Sequence, residues 1–61
     1  MNDQDVIIEA YAESLKSLYN VLLDAFVEAS QDQKGQNLAT QRFSSGLAVA
    51  RKARDTALAL L

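Results

Sequence analysis

The chain has 61 residues, 49% of them hydrophobic, a net charge of −2, and neither cysteine nor histidine. A chain of this length forms one small domain at most, and a single core in so small a domain rarely supplies more than ~3–5 kcal/mol. Disulfides and metal sites built on cysteine or histidine are excluded as stabilising devices, so association with further subunits is the expected remedy.

The charges are divided between the two halves of the chain. Residues 1–32 contain seven acidic residues and one lysine, whereas residues 33–61 contain five basic residues and one aspartate. Two segments of opposite sign around a polar stretch predict a helical hairpin. Exposed ion pairs are worth only ~0–1 kcal/mol each, so we expect charge to select the arrangement and apolar burial to stabilise it.

The first predicted helix covers about residues 3–32 and is capped by Asn2 or Asp3. Its apolar residues recur at heptad positions a, d and e, which makes a stripe about three positions wide. That width is typical of a helix that contacts more than one neighbour, as in a four-helix bundle. The predicted core residues of this helix are Ile8, Tyr11, Leu15, Leu18, Tyr19, Leu22 and Phe26.

A turn is predicted over about residues 33–37. Gly35 can adopt the left-handed conformation that ends a helix, and Lys34 complements the negative end of the helix dipole. Asn37 is then the predicted cap of the next helix.

The second predicted helix covers about residues 38–60 and has mostly small residues on its core positions. Small residues let a partner backbone approach closely, while large side chains of the first helix fill the space. Its predicted core residues are Phe43, Leu47, Ala50, Ala53 and Ala57. An alternative boundary has Ser45 as the cap of a shorter helix that begins at Gly46 or Leu47.

These elements predict one all-α domain over residues 1–61, an antiparallel two-helix hairpin that associates into a four-helix bundle as a homodimer, or into a larger helical assembly. Two helices share only one line of contact, and twofold pairing is the commonest way to cover what remains. We expect a cytoplasmic protein with no membrane role, because residues 1–5 are acidic and the longest uncharged run, residues 43–50, is too short to span a bilayer.

Catalysis has no candidate residues, because the serines lack a histidine base and no phosphate-binding loop is present. No cofactor or metal is predicted. The pairs Glu9 with Glu13 and Asp24 with Glu28 are spaced to share a cation, but a solvated acidic surface is the favoured interpretation and a metal-binding or enzymatic bundle the least favoured.

Four basic residues of the second helix are the candidate nucleic-acid contacts: Arg42, Arg51, Lys52 and Arg54. The competing interpretation pairs Arg54 with acids of the first helix and leaves Arg51 and Lys52 solvated. In architecture alone, the predicted hairpin resembles the plasmid-encoded Rop-type RNA-binding regulators. That resemblance implies an RNA surface on the first helix, which is acidic in this chain.

Three further apolar residues, Val6, Leu23 and Val27, fall on the mainly polar side of the first helix. They are interpreted either as ordinary surface residues and subunit contacts or as a docking patch for another protein. The leading hypothesis is a non-catalytic hairpin that homo-oligomerises and serves as a protein-interaction or regulatory module, with a nucleic-acid-binding accessory regulator as the alternative.

Overall fold

The computed structural model describes residues 1–61 as two antiparallel α-helices joined by a short turn. Helix α1 covers Asp3–Glu28 and helix α2 covers Gln33–Ala59. The helices pack against each other and the chain has no strand. The predicted all-α hairpin is confirmed.

The start of α1 is fixed by a side-chain cap. The Oδ1 atom of Asn2 accepts a hydrogen bond of 2.9 Å from the backbone N–H of Asp5, one of the donors left free at a helix start. Asp3 and Asp5 lie in the first turn, where the helix dipole favours negative charge.

The end of α1 lies earlier than predicted, because the last helical residue is Glu28 and the turn occupies residues 29–32. No residue has a positive φ, so the prediction that Gly35 ends the helix in a left-handed conformation is wrong. Instead, Nε2 of Gln36 reaches back and donates to the carbonyl oxygens of Ala29, at 3.0 Å, and Ser30, at 3.4 Å. A side chain of the second helix therefore satisfies carbonyl groups beyond the end of the first.

Helix α2 begins at Gln33, with Asp32 as its cap, so the predicted start near residue 38 is also corrected. The Oδ1 atom of Asp32 accepts from the backbone N–H of Lys34 at 3.1 Å. Asn37, the predicted cap, lies inside the helix and accepts from the side chain of Gln33 at 2.9 Å. The alternative boundary at Ser45 is wrong, since α2 is continuous through that position.

Both glycines serve close approach between the helices. A Cβ atom on Gly35 would lie 2.9 Å from Cβ of Ala29, and one on Gly46 would lie 2.6 Å from Cδ2 of Leu18. Helix α2 thus contacts α1 through positions with no side chain, first beside the turn and again near mid-helix.

The hairpin is long and thin, with principal extents of 45 × 18 × 6 Å over its Cα atoms. Ala39 is the one buried residue, at 7% exposure, and no large side chain is fully enclosed. Neither helix has an apolar stretch of the length that crossing a membrane requires. Packing of two helices leaves most of the apolar surface of the chain exposed.

Candidate oligomer interface

The line of contact between the helices runs through the predicted core. Eight of the twelve predicted core residues are half-buried there: Tyr11, Leu15, Leu18, Leu22, Phe43, Leu47, Ala50 and Ala57. The other four are exposed: Ile8, Tyr19, Phe26 and Ala53. The hairpin alone therefore covers only part of the predicted stripe.

Sequence analysis missed Ile7 as a contact residue, whereas the buried Ala39 falls on one of the predicted core positions of the second helix. Ile7 is half-buried whereas Ile8 is 47% exposed, because a straight α-helix has 3.6 residues per turn and drifts by ~20° per heptad away from a strict seven-residue repeat. Counting at 3.6 would have moved the contact line from Ile8 to Ile7.

One broad side of the hairpin, which we call the aromatic face, has large apolar side chains from both helices. Tyr19 is 55% exposed and Phe26 37% exposed, and Tyr19 shares an open groove with Leu15 and Phe43. Successive residues of a helix are about 100° apart, so side chains three, four and seven positions apart share this side. The aromatic face consists of Ile8, Leu15, Tyr19 and Phe26 of α1 and Phe43, Leu47 and Leu58 of α2.

The other broad side, the opposite face, is also largely apolar, since seven of the ten residues that line its groove between the helices are hydrophobic. Its groove, of about 370 Å³, lies between Val21 on α1 and Leu38 on α2, with Arg42 and Ser17 among its lining residues. A second shallow groove runs along α2 from Val49 toward the open end. The two exposed aromatic residues, Tyr19 and Phe26, lie on the aromatic face, and because aromatic residues are enriched at interfaces that face is the stronger candidate for a large buried contact.

The three apolar residues on the back of α1 remain open to solvent. Val6, Leu23 and Val27 are all exposed, and Val27 most of all at 67%. None of them contributes to the groove between Tyr19 and Phe43.

No ion pair connects the two helices. The two salt bridges are local: Lys16 Nζ lies 3.3 Å from Glu13 Oε1, and Arg54 Nε lies 2.9 Å from Asp55 Oδ1. Within one chain, Arg54 therefore forms no ion pair with an acid of the first helix. The hairpin leaves most of its opposed charges without a partner.

Arg54 instead links the helices through an aromatic ring. Its Cζ atom lies 4.5 Å from the centre of the Tyr11 ring, a cation–π distance. The hydrogen bond from Arg54 to Asp55 raises the pKa of the guanidinium above its usual value.

The four candidate nucleic-acid residues do not share one side of α2. Arg42 and Arg51 are nine positions apart, which places them about 180° apart around the helix. Arg42 lines the groove of the opposite face, whereas Arg54 is held by Asp55 and Tyr11. Within one chain, only neighbouring Arg51 and Lys52 form a compact exposed pair.

The acidic residues of α1 do not converge on a point. No group of three carboxylates lies close enough to share a metal ion, and the paired positions Glu9 with Glu13 and Asp24 with Glu28 are exposed. At either pair, a cation could therefore be bound by at most two carboxylate groups.

Comparison with protein-family models, curated proteins and solved structures finds no match to this chain.

Proposed function

We propose that this hairpin pairs with a second copy of itself through the aromatic face and serves, without a catalytic role, as a small protein-interaction or regulatory module. The observation that carries the proposal is the near absence of a core: one small residue is buried, while Tyr19, Phe26 and Ile8 lie open on one side. A second copy covers these side chains and creates the core that one chain lacks.

The exposed area supports a partner of this size. The chain exposes 4789 Å², whereas a compact monomer of 6.7 kDa exposes about 3,900 Å². The excess of about 900 Å² is close to the ~800 Å² that each partner buries in an interface of standard size. The radius of gyration, 14.3 Å, also exceeds the ~10.5 Å of a compact chain of this length.

A pair of hairpins makes a four-helix bundle, in which each helix contacts two neighbours. The three-position stripe of α1 suits this arrangement, because its a and d positions face α2 while its e positions, Tyr19 and Phe26, face the second copy. The opposite face, with Val21, Leu38 and Val49, then remains accessible to a different protein partner.

Tyr19→Lys tests the proposal at a side chain that is already half open to water. The substitution leaves the line of contact within one chain unchanged but places a charge inside the dimer, and should raise the Kd of the dimer by at least roughly thirtyfold, or ~2 kcal/mol. Light scattering after size exclusion measures the change as a shift from twice the 6.7 kDa of one chain toward one chain.

Val27→Lys is the matched control, because Val27 lies on the back of α1 and is at least as exposed as Tyr19. We expect this variant to keep the mass of the dimer. Equal effects of the two substitutions, or a wild-type chain that is monomeric and folded at micromolar concentration, would remove the proposal.

The alternative function, a nucleic-acid-binding accessory regulator, rests on the exposed Arg51 and Lys52. It predicts retention of RNA or DNA on filters at low salt, falling by ~0.9 log units per neutralised phosphate for each log unit of salt. Retention should disappear when both residues are replaced by Gln. Absence of retention at the lowest salt would reject this function and leave the interaction module.

A further inference from the structure

Two hairpins can stack through their aromatic faces in two ways. When the twofold axis runs along the helices, both turns lie at the same end and α1 packs on the α2 helix of the partner. When the axis runs across the helices, the turns lie at opposite ends and each helix packs on its own copy. Neighbouring helices are antiparallel in both arrangements, so helix dipoles do not discriminate between them.

The register within one chain fixes which residues share a level along the bundle. Leu18 contacts Gly46 near the middle, Ala29 contacts Gly35 beside the turn, and Tyr11 lies under Arg54 toward the open end. The first turns of α1, with Asp5 and Glu9, are therefore level with the last turns of α2. An axis along the helices preserves these levels between the two chains.

Charge distinguishes the two arrangements. Helix α1 contains six acidic residues and one lysine, a net charge of −5, whereas α2 contains five basic residues and one aspartate, a net charge of +4. The charges of α1 are not paired with those of α2 inside the hairpin, since neither of its two salt bridges joins the two helices. In the opposite-end dimer, α1 with its net charge of −5 would pack on the α1 of the partner, and α2 with +4 on the α2 of the partner. The helix axes would lie at the 8–10 Å typical of packed helices, within about one Debye length.

We propose that the dimer places both turns at the same end, with the acidic α1 of each chain on the basic α2 of the other. This inference rests on the proposed self-association and specifies its geometry. Every helix then has two neighbours of opposite net charge, one in its own chain and one in the partner. The charge division of the sequence encodes the orientation of the dimer.

Arg51 is the residue through which the two arrangements differ most. It projects from the aromatic face, about 40° from Leu47 and 60° from Arg54 around α2, and has no ion pair in the hairpin. In the same-end dimer it faces the acidic α1 of the partner subunit. In the opposite-end dimer it faces the basic α2 of the partner.

Distance measurement between spin labels decides between the arrangements, and the absence of native cysteine allows a single label per chain. Gln31→Cys places the label in the turn. The same-end dimer should give a label-to-label distance of roughly 10–25 Å, because only the width of the bundle separates the turns. The opposite-end dimer would give about 40 Å or more, the length of a 26-residue helix.

Ala48→Cys is the control label. It lies half-way along α2 on the exposed side, so neither arrangement separates the two labels by more than the width of the bundle: they are on diagonal helices in the same-end dimer and on adjacent helices in the opposite-end dimer. Dipolar coupling at Ala48→Cys together with a short Gln31→Cys distance supports the inference. Coupling at Ala48→Cys with a long Gln31→Cys distance overturns the orientation but keeps the dimer, whereas absence of coupling at both sites rejects self-association itself.

A pair of charge-neutralising variants tests the physical cause. Arg51→Gln should raise the Kd of the dimer by roughly two- to fivefold, the range of an exposed charge pair, with the effect lost at high salt. Lys52→Gln removes the same charge from a side chain that lines the groove with Val49 on the opposite face, so its effect should be smaller. A tighter dimer with Arg51→Gln, as relief of repulsion would produce, contradicts the inference.

Discussion

The glycines are the residues at which the two helices come closest. At Gly46 an added Cβ meets the end of the Leu18 side chain, which can rotate away, whereas at Gly35 it meets Cβ of Ala29 at 2.9 Å, an atom fixed to the backbone. Relief at Gly35 therefore requires the helices themselves to separate beside the turn.

Replacing each glycine by alanine should thus have different effects. Alanine gains ~0.8–1.0 kcal/mol of helix propensity at either position. At Gly46 we expect this gain to balance the displacement of Leu18, leaving the free energy of unfolding within about 1 kcal/mol of wild type. At Gly35 we expect a net loss of ~1–3 kcal/mol from overpacking.

Urea unfolding followed by circular dichroism measures both variants, with Ala48→Gly as a control that changes propensity without changing the helix contact. If Gly35→Ala proves as stable as Gly46→Ala, the close approach between α1 and α2 beside the turn is not what selects glycine there.

At the scale of the elements, the turn was where sequence and structure diverged. Existence, order and antiparallel packing of two helices follow from the spacing of apolar residues and were predicted. The position of the turn between the helices was not predicted, because Gly35 and Asn37 are residue types that usually end and start a helix. The turn is instead closed by the Asp32 cap and by the hydrogen bond from the Gln36 side chain to the carbonyl of Ala29. Such a contact depends on where the second helix lies and leaves no local signal.

The two possible caps of α2 can be compared directly. Asp32→Ala removes the acceptor of the Lys34 N–H and should lower the free energy of unfolding by ~0.5–2 kcal/mol. Asn37→Ala replaces a residue inside the helix by a better helix former, and should change stability by less than about 0.5 kcal/mol. Thermal unfolding of both variants in one buffer provides the comparison. A larger loss of stability with Asn37→Ala would contradict the Asp32 cap and support a start of the second helix near residue 38.

The residues of the candidate interface could likewise be predicted only in part. The a and d positions define the line of contact, and the e positions Tyr19 and Phe26 indicated that a second neighbour was needed. The drift that moves the contact line from Ile8 to Ile7 follows from the 3.6-residue turn, but the contact of Arg54 with the Tyr11 ring depends on the tertiary register. Pattern alone does not give that register.

At the scale of the molecule, stability and association are expected to be one property. A hairpin with one buried residue has little apolar burial to offset the conformational entropy of ordering its chain, so we expect the proposed second copy to supply most of the free energy of folding. The helical signal and the dimer should then be lost together, as in other small obligate dimers.

Thermal unfolding of the wild-type protein over a hundredfold range of concentration tests this claim most directly. A folded dimer that unfolds to separate chains should show a Tm that rises by about 5 °C for each tenfold increase in concentration. A cooperative transition whose Tm is independent of concentration, in a sample with the mass of one chain, would contradict the account.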